Sequence, residues 1–401
     1  MAGCGGGYSG VFGPGYQAPG VRSGQPTPSS VAPAGRKVAI LLPLTGPLAD
    51  RGQPMLQAAR LALPEGSVPP LDARDTGGTA PGAATAARAA IADGAGLILG
   101  PLTAAETAAV APIARDAGVA VLAFTNAAAM AQPGVWTLGI TPDQQVRRLV
   151  SAAQGQGKTQ IAALLPDNDF GRAMAEALNQ ATALAGLPQP AVRLHGAGMG
   201  AINAGAREIS GYGNRRGPID AQIKAARALN TPEGRAKARE LARSPIPPPS
   251  FNALLLGATG ESLQEIAAVL PYYDVDRWAV QIMGPAQWAS PASGSGAVEG
   301  AWYAAPDPAA RAVLEERFAT RYSAPPPPLA DLAFDAASVA AALATRGGFS
   351  QAALTQPAGF AGVDGWFALL PDGRVNRGLA VFRVERGGSS MIEPAPQAAG
   401  S

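Results

Sequence analysis

The stretch Lys37-Val-Ala-Ile-Leu-Leu-Pro-Leu-Thr-Gly-Pro-Leu-Ala-Asp-Arg-Gly52, continuing into Pro54-Met-Leu-Gln-Ala-Ala-Arg-Leu-Ala-Leu63, decides the fold class. An apolar run stops at Pro43, a polar turn carries Thr45 and Gly46, and apolar residues then recur at helical spacing. Strand, loop and helix in that order open a βα unit. At the carboxyl end of a parallel strand such a loop faces the crevice where open α/β sheets bind ligands. No glycine-rich phosphate fingerprint accompanies it, so the unit predicts ligand sensing rather than nucleotide chemistry.

Working outward, apolar strands alternate with alanine-rich helices. Strands are predicted over 38–42, 71–75, 97–100 and 119–124, with helices over 54–63, 80–93 and 104–116. The cycle restarts at Thr141-Pro142-Asp143: a helix to Gly155, a strand over 160–165, the Asn168-Asp169-Phe170-Gly171 turn, a helix to about Gly186 and a strand over 191–195. Repeated βα units predict two doubly wound parallel-sheet lobes. After residue 250 the rhythm resumes with strands over 252–257 and 279–284 and helices over 262–270, 309–321 and 332–344. The Asp372-Gly373 turn predicts a hairpin joining the run from Gly365 to the strand at 379–384.

Residues 196–250 break the rhythm. Between 196 and 243 lie nine Lys or Arg and four Asp or Glu. This pattern fits a solvated helical face or a docking surface for an envelope partner. Over the whole chain of 401 residues the balance is only +2 and charged residues are 15%, which gives no electrostatic case for nucleic acid. A hydrophobic content of 47% supplies two cores.

The single cysteine excludes a disulfide framework. Met1-Ala-Gly-Cys4 resembles the end of a bacterial lipoprotein signal, in which the cysteine becomes lipidated, and the chain is expected to start at a truncated or misassigned Met. Residues 5–35, rich in Gly, Pro, Ser and Ala, then read as a disordered leash. No run of about 18 uncharged apolar residues suits a membrane span.

Chemistry is mostly missing. His195, the one histidine, ends a predicted strand with no nucleophile elbow beside it. Gly155-Gln-Gly-Lys-Thr159 imitates a phosphate loop but has Ala152 where glycine is needed. Asp72, Arg74 and Asp75 suit a local ion pair better than acid–base work. No metal-ligand cluster and no cofactor motif is visible, and an enzyme is not expected.

Val38-Ala-Ile-Leu-Leu-Pro-Leu-Thr-Gly46, Leu99-Gly-Pro-Leu-Thr103, Asp167-Asn-Asp-Phe-Gly171, Val298-Glu-Gly-Ala-Trp302 and Phe334-Asp-Ala336 together resemble the type 1 periplasmic binding proteins of the leucine/isoleucine/valine group. The resemblance covers about 37–390 and implies two lobes joined by a three-strand hinge. Lobe 1 would comprise 36–141 and 278–347, lobe 2 would comprise 142–277 and 348–390, and 391–401 would be a tail. It also implies a cleft that grips an amino acid. Yet Ala104 stands where the family's carboxylate-binding serine is expected, Phe170 replaces a tyrosine, and Ala286 replaces the acid that meets the ammonium. Thr45, Thr103, Thr125, Asn126 and Gln287 remain as uncharged contacts, and each equally suits a loop turn or helix cap.

Phe251-Asn-Ala-Leu-Leu-Leu-Gly257, Leu270-Pro-Tyr-Tyr-Asp-Val-Asp276, Val280-Gln-Ile-Met-Gly284 and Trp288 are similar to the penicillin-binding protein activators. Those lipoproteins regulate a peptidoglycan synthase. This resemblance implies a membrane-anchored periplasmic protein, at the inner or outer membrane, acting on a penicillin-binding protein and possessing a cleft for a small amino-acid-like or cell-wall ligand. The competing expectation is the substrate-binding component of an amino-acid ABC transporter, whose partner would be a permease.

Overall fold

The computed structural model describes residues 37–290, 294–396 and 398, so Cys4 and the leash expected over 5–35 lie outside the described residues. The first lobe is a parallel sheet of β1 (Lys37–Leu42), β2 (Leu71–Asp75), β3 (Ala95–Leu99), β4 (Ala120–Ala123) and β5 (Val135–Thr137), in the order β2-β1-β3-β4-β5. Its interior strands are apolar at nearly every position because both faces are covered. Helix α1 (Ala49–Ala62) packs on one face; α2 (Ala80–Ala92) and α3 (Ala104–Asp116) pack on the other.

The second sheet has seven strands. Parallel β6 (Ile161–Pro166), β7 (Ala191–His195), β8 (Ala253–Leu256), β9 (Gln281–Gly284) and β10 (Trp302–Ala305) are extended by antiparallel β14 (Ala380–Glu385) and β15 (Gly388–Glu393). Helices α4 (Pro142–Gly155) and α5 (Asp169–Leu184) cover one face; α6 (Met199–Ile209) and α9 (Gly260–Val269) cover the other. The departure at 196–250 is helical: after α6 come α7 (Tyr212–Ala228) and α8 (Pro232–Ala242), joined by a turn at which Thr231 caps α8. Ile223, Ala226 and Ala238 form the small seam between α7 and α8.

The chain then returns to the first lobe through α10 (Pro308–Tyr322), α11 (Ala330–Ala344), α12 (Gln351–Leu354) and a small sheet of β11 (Phe360–Gly362), β12 (Gly365–Leu369) and β13 (Val375–Arg377). Leu343, Phe360, Phe367 and Val375 bury themselves in the same core as Val38 and Leu97. The chain thus passes between lobes three times: after β5, after β10, and between β13 and β14.

This corrects the expected division of the chain. β9 and β10 lie within 278–347 but belong to the second sheet, because their ladder partners are β8 and β14. Conversely, β11–β13 lie within 348–390 but serve the first lobe. The Asp372-Gly373 turn joins β12 to β13, not to the strand at 379–384, which crosses to pair with β10. Strand β15 occupies 391–393, where a tail was expected.

Each lobe opens with the same device. A Cβ on Gly52 would lie 2.1 Å from the Pro43 carbonyl oxygen, and one on Gly171 would lie 1.9 Å from that of Pro166. Only glycine lets the first turns of α1 and α5 come this close to the ends of β1 and β6. Gly171→Ala is therefore expected to lower stability by about 1–3 kcal/mol through forced backbone movement. Gly155→Ala, where a Cβ meets nothing within 4 Å, should lose nothing. Urea unfolding midpoints of the two variants check the contrast, and equal midpoints would contradict it.

Candidate functional site

The carboxyl ends of β3, β4 and β9 open onto one interlobe cavity of about 590 Å³. Its size and position suit a small ligand held between two lobes. Leu102, Thr103 and Ala104 after β3, and Phe124–Ala127 after β4, form the wall on the first lobe, with Leu48 and Arg51 at the start of α1. The second lobe supplies Gln145 from α4 and Ala286 and Gln287 after β9. Gly139 and Ile140, on the first crossing, lie at the base beside Asp331, Leu332 and Asp364.

Five of the candidate contact residues named in the sequence therefore line this cavity, Thr103, Ala104, Thr125 and Asn126 on the first lobe and Gln287 on the second. Two do not. The Thr45 hydroxyl donates to the Asp75 carboxylate at 2.6 Å while the Leu44 and Thr45 N–H groups donate to its other oxygen. That clamp between the loops after β1 and β2 engages Thr45, and although desolvation raises the Asp75 pKa, these three donors and the Gly77 N–H at 2.8 Å hold it below its usual value. Phe170 packs against the core between α4, α5 and the second sheet, as an unhydroxylated ring at the first turn of a helix would.

Several wall residues already have partners. Thr103 and Glu106 form a reciprocal capping box at the start of α3, with the hydroxyl donating to the carboxylate at 2.8 Å. Glu106 is fully buried and also accepts from the Thr76 hydroxyl. The Thr125 hydroxyl accepts from the Ala127 N–H at 3.1 Å, shaping the loop after β4. Gln145, which the sequence reading passed over, accepts the Ala286 N–H at 2.8 Å and so fixes the loop that carries Gln287.

The sequence reading also missed the acids. Asp331 and Asp335 stand one turn apart on α11, a helix buried at 11 positions. Arg311 places its Nε 2.9 and 2.8 Å from the two Asp331 oxygens. Asp335 accepts the Val363 N–H at 2.7 Å, and Asp364 lies 3.9 Å from the buried guanidinium of Arg377. Three carboxyls thus face two guanidiniums. Burial first, and then the charge of Asp364, push Asp331 up to about 6 against the pull of Arg311. The same two causes push Asp335 up to about 7 against the pull of Arg377. The spacing of Asp331 and Asp335 was the only available signal, and the apolar composition around it reads as plain core.

Residues 36–389 match the family described as periplasmic binding protein. The chain belongs to the periplasmic binding protein family. Its members are generally non-catalytic binding proteins, and membership implies an extracytoplasmic protein. No helix among the described residues is long and apolar enough to cross a membrane. No curated protein matches the chain in sequence. Among solved structures, a Rhodospirillum rubrum protein assigned to branched-chain amino acid ABC transport is 23% identical, with a TM-score of 0.67 over 89% of this chain and 100% of that one. Full-length LpoA from Haemophilus influenzae is 16% identical, with a TM-score of 0.64 over 90% of this chain and 59% of LpoA. LivJ from Streptococcus pneumoniae, solved in complex with isoleucine, is 14% identical with a TM-score of 0.51 over 90% of this chain. These likenesses establish the type 1 periplasmic binding protein fold with parallel-sheet lobes.

The acid cluster sets a pH dependence. An unfolded aspartate titrates near 3.8, whereas folded Asp335 does so at about 7, so between these values the folded protein holds the extra proton. The stability this contributes is fully present below the unfolded value and is lost as pH rises through about 7. Asp335→Asn keeps an oxygen for the Val363 N–H but removes the titration. The slope of unfolding free energy between pH 5 and 8, at most about 1.4 kcal/mol per pH unit for one proton, should flatten in that variant. An unchanged slope in urea titrations would refute the assignment.

Proposed function

We propose that this chain is a non-catalytic cell-envelope protein that works through protein contacts in the regulation of peptidoglycan synthesis, like the penicillin-binding protein activators it resembles. The observation that carries this reading is the uncharged second-lobe wall of the cleft, where Ala286 and Gln287 are accompanied only by Gln145, itself bonded to Ala286. An amino acid held between two lobes draws its affinity from charge-assisted bonds to its ammonium and carboxylate. Ala104, Phe170 and Ala286 offer neither, and Asp331 is already engaged by Arg311. The fold likeness to LpoA, a penicillin-binding protein activator lipoprotein, supports the reading over 90% of the chain. A lipid on Cys4 would hold the body at a membrane. Thr125, Asn126 and Gln287 would contact any small cell-wall fragment that enters the cleft.

A second reading is the substrate-binding protein of an amino-acid ABC transporter. It is favoured by the carboxyl groups of Asp331 and Asp364 on the cleft wall, which an ammonium could meet. Thermal unfolding separates the two. A ligand at about 100 times its Kd stabilises by roughly 2.7 kcal/mol, so a bound amino acid would raise the midpoint by several degrees. No shift is expected with any of the common L-amino acids, and a penicillin-binding protein is expected to co-purify from envelope extracts. A midpoint raised by leucine, with permease subunits recovered instead, would establish the transporter reading. Expressed behind an intact lipoprotein signal, Cys4→Ala is expected to leave the membrane fraction, and retention there would refute the anchor.

A further inference from the structure

At the end of the second sheet opposite the cleft, where β9 and β10 begin, Leu270, Val275, Ile282 and Val298 form the apolar floor of an open groove of about 420 Å³. Trp278 stands on its rim with 82% of its surface exposed, and the Arg277 guanidinium lies 5.0 Å from the indole centre. Asp274, Asp276 and Glu299 line the same groove as this stacked arginine.

The rim is built, not loose. The Tyr273 hydroxyl donates to Asn203 at 2.8 Å, its carbonyl accepts from Arg215, and Asp276 accepts the Trp278 N–H at 2.9 Å. Asp274 holds the turn in the left-handed region at φ 52, a conformation aspartate tolerates better than most residues. An exposed tryptophan and arginine beside a prebuilt apolar pocket are the residue types that dominate protein interfaces. The excess of carboxylate selects the sign of what approaches.

We propose that this groove is a protein-docking site whose occupant presents one aliphatic or aromatic side chain flanked by lysine or arginine. The apolar side chain would fill the pocket against Trp278 while the flanking cations meet Asp274, Asp276 and Glu299. This rests on the protein-contact reading above and gives it a surface. It uses no residue of the cleft, so a cleft that bound leucine would overturn that reading without touching the groove.

The test uses three fluorescein-labelled decapeptides: a central leucine between lysine pairs, the same leucine between glutamate pairs, and a glycine between lysine pairs. Fluorescence anisotropy with the full chain is expected to show binding of the first alone, weakened several-fold between 50 and 300 mM salt as charge pairing requires. Trp278→Ala should weaken it at least tenfold, and Asp276→Asn with Glu299→Gln should weaken it three- to tenfold, with thermal midpoints unchanged because all three side chains are exposed. No binding of the first peptide, equal binding of the other two, or an unaffected Trp278→Ala would overturn the proposal. Sedimentation velocity closes the remaining route: self-association abolished by Trp278→Ala would make the occupant a second copy of this chain and overturn a foreign partner.

Discussion

Arg377 ends β13, just before the chain crosses between lobes, and its side chain has no exposed surface. A cation taken fully out of water costs several kcal/mol unless charge and hydrogen bonds replace what it loses. The replacement here comes from three directions. The Leu138 carbonyl on the first crossing accepts at 3.0 Å, the Asp364 carbonyl at 3.4 Å, and the Phe367 ring lies 5.1 Å away. The Asp364 carboxyl, 3.9 Å away, supplies the opposite charge. One buried guanidinium therefore ties the first crossing to the third and draws acids to the base of the cleft. Those acids crowd one another, and Asp331 in turn recruits Arg311 from α10. The carboxyls at the base of the cleft thus compensate the guanidiniums of Arg311 and Arg377.

The same crossing is braced from the second lobe. Gln144 of α4 donates to the Val375 carbonyl at 2.6 Å, and Arg148 donates to the Leu379 carbonyl while pairing with Glu393. Trp136, fully buried at the end of the first sheet, donates to the Leu370 carbonyl at 2.7 Å. The small β11–β13 sheet is thus held by both lobes although its apolar residues belong to the first core. That double attachment fixes the segment just before the chain's third crossing between the lobes.

The first four strands and the helices between them were legible because short strands alternate with alanine-rich helices closed by glycine, a signal that is local, whereas the three-residue β5 was too short to show. The lobe membership of β9, β10 and β11–β13 was not local. A strand such as Gln281–Gly284 carries no mark of whether β8 or a first-lobe strand will be its neighbour, since ladder partners are chosen by tertiary packing. The cleft was half legible. Loops after β3, β4 and β9 followed from fold logic, and five named residues line the cavity from its two sides. Thr45 was lost to Asp75, because nothing in the spacing of 30 residues reveals a clamp between two loops. Asp331 was hidden because a buried carboxyl on an apolar helix looks like an interruption until its arginine is placed beside it, and Asp364 because it sits in the turn between β11 and β12.

The distribution of unpaired chemistry bears on function. A receptor that works by closing on a charged ligand concentrates its unsatisfied polar groups between its lobes. Here the Thr103 hydroxyl is engaged by helix capping and Asp331 by Arg311, whereas the Thr125 O–H stays free to donate and Arg51, Asn126 and Gln287 line the cleft as further polar groups. Outside the cleft an indole stands 82% exposed on the rim of an apolar groove that three carboxylates line. Exposed indole surface is unfavourable in water and is relieved when another surface covers it. Covering that indole would contribute free energy for recognition at the outer end of the second lobe. A body of this fold that carries such a surface has a second place for contact besides the cleft between its lobes, as the proposed docking requires.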